Sequence, residues 1–249
     1  MYIRIDNRKI HYKKIGKGTP LLMVHGWGGT LYNLLSLAEK ASRKHTVYIL
    51  DLPGFGKSDN PPPHWGIEGY AEIIVKFMKQ LRLQRPHYFG HSFGGEIGIF
   101  IASRAPQAFD RLILSNSSYK RSHGRSWPAR LFHMSRLKDV PFFSNLIPFF
   151  RNYYYRLLHK NSDMVKFPHL ESNFRKIMLQ DLTEQAKKIQ NQTLLVWGEE
   201  DKDTPVLWAY ELKKNIRNSY LHIFPEKNHN LPIRFPNEVW SVIEPFLRA

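Results

Sequence analysis

The 249-residue chain contains no cysteine. That absence excludes disulfides, thiolate zinc sites, iron–sulfur clusters and a cysteine nucleophile together. Long hydrophobic runs are lacking too. The greasiest stretch, residues 140–150, is interrupted by Pro141, Asn145 and Pro148 and runs into Arg151, so it cannot span a bilayer. The opening segment, MYIRIDNRKIHYKKIG, alternates charged and apolar residues with no run of signal-peptide length. Nothing in it marks export, and a soluble cytoplasmic protein is expected. Acidic residues are scarce, with 21 Asp+Glu against 37 Lys+Arg and a net charge of +16. A content of 42% hydrophobic and 14% aromatic residues nevertheless excludes a disordered basic tail. The length suits one large domain, or a domain with an insertion.

Such a charge invites a nucleic-acid partner, since a basic face releases counterions from a phosphate backbone. The chain has no helix-turn-helix spacing, no zinc knuckle and no paired aromatic-basic strand motif, so dedicated nucleic-acid binding is not expected. The charge is also concentrated. Residues 120–188 carry 14 Lys+Arg against 5 Asp+Glu, a net +9.

Short apolar runs bounded by turn residues predict strands at 2–5, 10–15, 21–24, 47–50, 87–89, 112–114, 194–197 and 220–224. The first two alternate in polarity across the polar turn Asp6-Asn7-Arg8, as an antiparallel hairpin does. The later runs are apolar throughout, the pattern of parallel strands buried on both faces. Helical spacing falls between them at 30–42, 67–81, 93–104, 205–214 and 236–247. This alternation predicts an α/β layered fold. From Ser117 to about Lys188 the strand runs stop and helical spacing continues, punctuated by Pro128, Pro141, Pro148 and Pro168. The expected partition is a core of 1–117 and 189–249, with 118–188 inserted as a helical subdomain.

The sharpest chemical signal is Gly90-His91-Ser92-Phe93-Gly94-Gly95, which follows a strand and opens an apolar helix. It fits G-x-S-x-G in the strand-turn-helix context that the motif requires. Glycines at 90 and 94 remove side chains that would collide when a strand turns at once into a helix, leaving Ser92 strained and raised above the sheet. The helix starting there aims free N–H groups at charge forming on a bound carbonyl oxygen. A second signal, Leu21-Leu22-Met23-Val24-His25-Gly26-Trp27-Gly28-Gly29, is a buried strand entering a glycine-rich loop. Its glycines match neither G-x-G-x-x-G nor a phosphate loop ending G-K-[ST]. It suits the other half of an oxyanion hole, the backbone N–H of Trp27 joining that of Phe93.

A serine hydroxyl becomes nucleophilic when a histidine, held in one tautomer by a carboxylate, accepts its proton. The carboxylate is expected at a later strand end, within Gly198-Glu199-Glu200-Asp201-Lys202-Asp203, which follows the strand 194–197. The end of the strand 112–114 reads Ser115-Asn116-Ser117 and offers no acid.

Taken in order, five motifs resemble the α/β-hydrolase superfamily: Val24-His25-Gly26-Trp27-Gly28-Gly29, Asp51-Leu52-Pro53-Gly54-Phe55-Gly56-Lys57-Ser58-Asp59, Gly90-His91-Ser92-Phe93-Gly94-Gly95, Trp197-Gly198-Glu199-Glu200-Asp201 with Pro205, and Asn228-His229. The resemblance is to the branch of carboxylesterases and carbon–carbon bond hydrolases. Relatives with an aspartate nucleophile, the haloalkane dehalogenases and epoxide hydrolases, do not fit Ser92. The resemblance implies an α/β-hydrolase fold, with a mostly parallel eight-stranded sheet flanked by helices and an inserted helical cap. It picks Asp201 as the triad acid, with Asp203 as the alternative. It also picks His229, which follows the last strand in the chain order Ser, Asp, His; Asn228 stands where glycine is usual. His25 and His91 are read as structural histidines, the 51–59 segment as a structural loop, and Glu96 as a helix contact.

In this fold an insertion after the sixth strand of the sheet covers the serine, and 118–188 occupies that slot. Residues 142–156 hold seven aromatics. Packing against the core accounts for them, as does an apolar acyl or aromatic pocket whose basic rim, Arg151 and Arg156, meets an anionic or amphiphilic substrate. Basic segments interleaved with aromatics also rest on anionic membranes, so peripheral membrane contact is a further expectation. The expected activity is hydrolysis of an ester or similar acyl substrate through Ser92, Asp201 and His229, with no cofactor and no metal. The alternatives are carbon–carbon bond hydrolysis or a lyase-like elimination on the same triad, and a weakly catalytic receptor of the same fold.

Overall fold

The structure is a computed structural model that describes residues 1–120 and 166–248. Eight strands form one sheet: β1 Tyr2–Ile5, β2 Arg8–Ile15, β3 Thr19–Val24, β4 His45–Leu50, β5 His87–His91, β6 Arg111–Ser115, β7 Gln192–Gly198 and β8 Ser219–Phe224. Their order is β1-β2-β4-β3-β5-β6-β7-β8. β1 and β2 pair antiparallel, as do β2 and β4, and every other neighbouring pair is parallel. The β1–β2 hairpin closes at Ile5 opposite Arg8, and its two turn residues, Asp6 and Asn7, have φ of 46° and 64°. A two-residue turn with both φ positive matches the right-handed twist of the strands, and Asp and Asn tolerate it.

The connecting helices lie on both faces of the sheet. They are α1 Leu35–Ala41, α2 Ile67–Gln80, α3 Phe93–Arg104, α4 Glu171–Ile177, α5 Thr183–Ala186, α6 Val206–Asn215, α7 Leu231–Arg234 and α8 Pro236–Arg248. Side chains alternate across a strand with period two, and the core divides accordingly. Leu21, Met23, Val47, Ile49, Phe89, Ile113, Leu194 and Val196 pack towards α1 and α8. Their neighbours Leu22, Val24, Tyr48, Leu50, Tyr88, Leu112, Leu114, Leu195 and Trp197 pack towards α2, α3 and α6. This is why the central strands read as unbroken apolar runs. The predicted strands and helices of the core are all present.

Strand order reverses at β3, which lies between β4 and β5. Chain leaving β3 and chain leaving β5 therefore part to opposite sides and open a crevice beyond the carboxyl ends of the strands, where open α/β sheets bind ligands. Among the described residues, no helix is long and apolar enough to cross a membrane.

Candidate active site

Ser92 sits between β5 and α3 with φ 52° and ψ −114°, a conformation that a residue bearing a Cβ rarely adopts. Such strain costs on the order of 1–3 kcal/mol and persists only where the surroundings over-determine it. Here they do. A Cβ on Gly94 would lie 2.2 Å from the Val24 carbonyl oxygen, so only glycine lets α3 begin this close to β3. The Ser92 N–H is held by the Ser115 carbonyl at 3.0 Å, and the Ser92 carbonyl accepts from Gly95 and Glu96.

The loop after β3 reaches the same point. A Cβ on Gly26 would lie 3.0 Å from Ser92 Cβ. The next residue is Trp27, and the backbone N–H groups of Trp27 and Phe93 donate to no acceptor among the described residues. His25 is fully buried and structural: its Nδ1 donates to the Gly26 carbonyl at 2.7 Å and its Nε2 accepts from Leu52 N at 3.0 Å. Burial lowers its pKa, so the ring stays neutral.

Two further loops bring in Asp201 and His229. His229 Nδ1 lies 2.9 Å from Asp201 Oδ2, which fixes the proton on Nδ1 and leaves Nε2 to accept. Asp201 is buried, and its carboxylate takes four more hydrogen bonds. Oδ1 accepts from the N–H of Asp203 at 2.9 Å and of Thr204 at 2.8 Å, while Oδ2 accepts from Asn116 Nδ2 and Thr204 Oγ1, both at 2.6 Å. Burial alone would raise the Asp201 pKa. The hydrogen bond and charge of His229, with the Thr204 donors, outweigh it and hold the carboxyl below its ordinary value. The alternative acid, Asp203, is exposed and contributes its backbone N–H, as an anchor for Asp201.

Asp201, Asp203 and His229 also bring ligand atoms within 4.8 Å of one another. The Asp201 oxygens are already saturated by donors, which opposes metal coordination there. The 51–59 loop is structural: Asp51 is buried, with Oδ1 accepting from Leu31 N at 2.7 Å and Oδ2 from Lys57 N at 2.9 Å and facing His11 Nδ1 at 2.8 Å. Glu96 is buried and accepts from Ser118 Oγ at 2.9 Å.

Sequence patterns did not single out Asn116 and Thr204. Asn116 follows β6 with φ 47°, which asparagine tolerates better than most residues, and its N–H bonds the Val196 carbonyl at 3.0 Å. A lone asparagine at a strand end is the faint signal that was available. Both Arg151 and Arg156, together with the aromatic stretch 142–156, lie outside the described residues. Two described residues of 118–188 reach the glycine-rich loop after β3. Phe174 lies 5.2 Å from the Trp27 ring, and a Cβ on Gly28 would meet Phe167 at 2.9 Å.

The family model for the alpha/beta hydrolase fold matches residues 19–163. The chain belongs to the alpha/beta hydrolase fold family. Hydrolases are among its relatives. It is 26% identical to the uncharacterized hydrolase YugF of Bacillus subtilis over 96% of this chain and 93% of that protein. It is 24% identical to the 2-hydroxy-6-oxo-2,4-heptadienoate hydrolase of Pseudomonas putida over 94% of this chain and 91% of that protein. Among solved structures, a hydrolase from Pseudomonas aeruginosa PA01 matches with a TM-score of 0.78 at 23% identity, over 100% of this chain and 98% of that one. This alpha/beta hydrolase therefore has the expected fold, with its eight-stranded, mostly parallel sheet flanked by helices.

Proposed function

We propose that the protein is a serine hydrolase acting on a carboxylic ester or similar acyl substrate. The observation that carries this reading is the pairing of buried Asp201 with half-buried His229 at 2.9 Å, on loops that share the carboxyl end of the sheet with the strained Ser92. In this reading His229 Nε2 takes the proton from Ser92 Oγ as the oxygen attacks the carbonyl, and the imidazolium is stabilised by Asp201. The Trp27 and Phe93 N–H groups receive the oxyanion; each such donor contributes about 3–4 kcal/mol to the transition state. Collapse breaks the ester bond, the His229 proton leaves with the alkoxide as an alcohol, and water attacks the acyl-enzyme by the same steps in reverse order.

Residues 118–188 are the proposed cap between core segments 1–117 and 189–249, and Arg151 and Arg156 its basic rim. Phe167 and Phe174 against the glycine-rich loop support an apolar acyl site. Carbon–carbon bond hydrolysis is the second reading, favoured by the name of the Pseudomonas putida relative.

The test is fluorophosphonate labelling together with turnover of p-nitrophenyl esters and of a vinylogous diketone. Ser92→Ala is expected to lose labelling and all turnover with an unchanged melting profile; a labelled, active variant overturns the assignment. Faster cleavage of the diketone than of every ester selects the second reading.

A further inference from the structure

His91 ends β5, precedes Ser92 and is 4% exposed. Its Nε2 lies 2.9 Å from the backbone carbonyl oxygen of His229, 138 residues away in the chain. A carbonyl oxygen only accepts, so the His91 proton is on Nε2. The two rings lie 5.0 Å apart between centroids, tilted by 43°. On its other side, a Cβ on Gly26 would come within 3.2 Å of His91 Nδ1. One imidazole thus bonds the loop that bears His229, lies beside the loop that bears Trp27, and is covalently next to Ser92.

The two ends of this bridge differ in rigidity. β5 is held by parallel ladders to β3 and β6 on either side. His229 lies between β8 and α7, outside any strand or helix. Among the described residues its ring is held only at Nδ1, by Asp201 Oδ2 at 2.9 Å and Thr204 Oγ1 at 3.3 Å, and a ring held at one atom can still pivot about it. A second anchor on the main chain of the same residue removes that freedom.

We propose that His91 is a positioning residue whose Nε2–H fixes the His229 main chain to the rigid end of β5, and so sets the approach of the His229 ring to the Ser92 hydroxyl. The proposal rests on the serine-hydrolase reading. Neutrality suits this role: burial, and next the neighbouring His229, push the His91 pKa down to about 3. Near neutral pH the ring adds no positive charge beside the imidazolium that forms on His229.

Three variants test it by ester kinetics, with kcat referred to the folded fraction measured by circular dichroism. His91→Phe keeps a flat ring without a donor, and His91→Gln keeps a donor at similar reach without the ring. The phenylalanine variant should lose about 10- to 100-fold in kcat, the scale of a small misplacement of a catalytic group, with KM changed less than about twofold. The glutamine variant should recover most of that loss. His91→Leu, which is smaller, replaces the phenylalanine variant if that one does not fold. A donor-less variant within about twofold of wild type in kcat overturns the proposal, as do equal losses in the donor and donor-less variants. Ser92→Ala, assayed alongside, separates the two failures: if it stays active the serine reading falls and this proposal with it, whereas a dead Ser92→Ala beside a fully active His91→Phe refutes the role of His91 alone.

Discussion

The two ends of the sheet hold their histidine rings by different numbers of partners. At the carboxyl end of the strands, His25 has a partner for each ring nitrogen, His91 bonds the His229 carbonyl, and His229 bonds Asp201. At the amino end, His45 and His87 open β4 and β5 with their rings 5.8 Å apart, and the Nδ1 of each is buried without a hydrogen bond. His87 Nδ1 lies 3.4 Å from Asp110 Oδ2, but burial, with His45 and Arg111 nearby, pushes its pKa down to about 4 and leaves it neutral near pH 7. A cleft of about 490 Å³ lies at this end, lined by residues that include Arg85, Asp110, Arg111 and Asn191. Partnered burial fixes a ring's orientation and tautomer, whereas unpartnered burial only costs desolvation. Positive φ does not follow this division: Ser92 and Asn116 adopt it at the carboxyl end, and Arg82 and Arg85 at the amino end. The proposed chemistry lies at the carboxyl end, whereas the cleft lined by Arg85, Asp110 and Arg111 lies at the other.

The contrast can be broken most severely at Asp201. Asp201→Asn should retain the fold yet reduce kcat by about 10³- to 10⁴-fold, because an amide favours the wrong His229 tautomer. Steady-state ester kinetics would read this, and a loss below tenfold would mean that Asp201 does not orient His229. A milder blow falls on Asn116. Asn116→Ala removes the 2.6 Å donor to Asp201 Oδ2 and should cost about 1–3 kcal/mol in stability, seen in urea unfolding, with a smaller fall in kcat. An unchanged midpoint would show that the other four donors suffice.

The smallest effect on turnover belongs to the amino end. His87→Leu should leave kcat within about twofold of wild type, yet it should alter the acid limb of stability. With a folded pKa of about 4 against an ordinary 6.5, His87 binds its proton more readily in the unfolded chain. Stability linked to it is therefore complete above about pH 6.5 and is lost as pH falls towards 4, by up to about 3 kcal/mol. Removing the imidazole should flatten that slope in melts between pH 4 and 7. An identical slope would show that His87 does not carry it. His25 and His91 shift in the same direction, so part of the acid lability should survive in the variant.

Much of the molecule was legible because its information is local. The eight strands, the hairpin at Asp6-Asn7 and the elbow at Gly90–Gly95 each lie within a dozen residues of chain, where polarity period and glycine placement act directly. Asp201 against Asp203 was not a local question. The two residues share one loop, and what separates them is that Asp201 is turned into the interior to meet Asn116, which is 85 residues away. A threonine after an acidic loop has no pattern of its own, so nothing local marks Thr204. His91 was read as structural, and its bond to the His229 carbonyl joins segments that only the closed sheet brings together.

By itself the sequence determined the layered fold, the strained serine and the family, since periodicity, turn chemistry and motif spacing are properties of short stretches of chain. Only the tertiary structure decided which carboxylate is buried and saturated with donors, which histidine faces it, and which neighbours hold both in place. Those choices depend on desolvation and on hydrogen bonds between residues separated by up to 138 positions, and no local pattern encodes such distances.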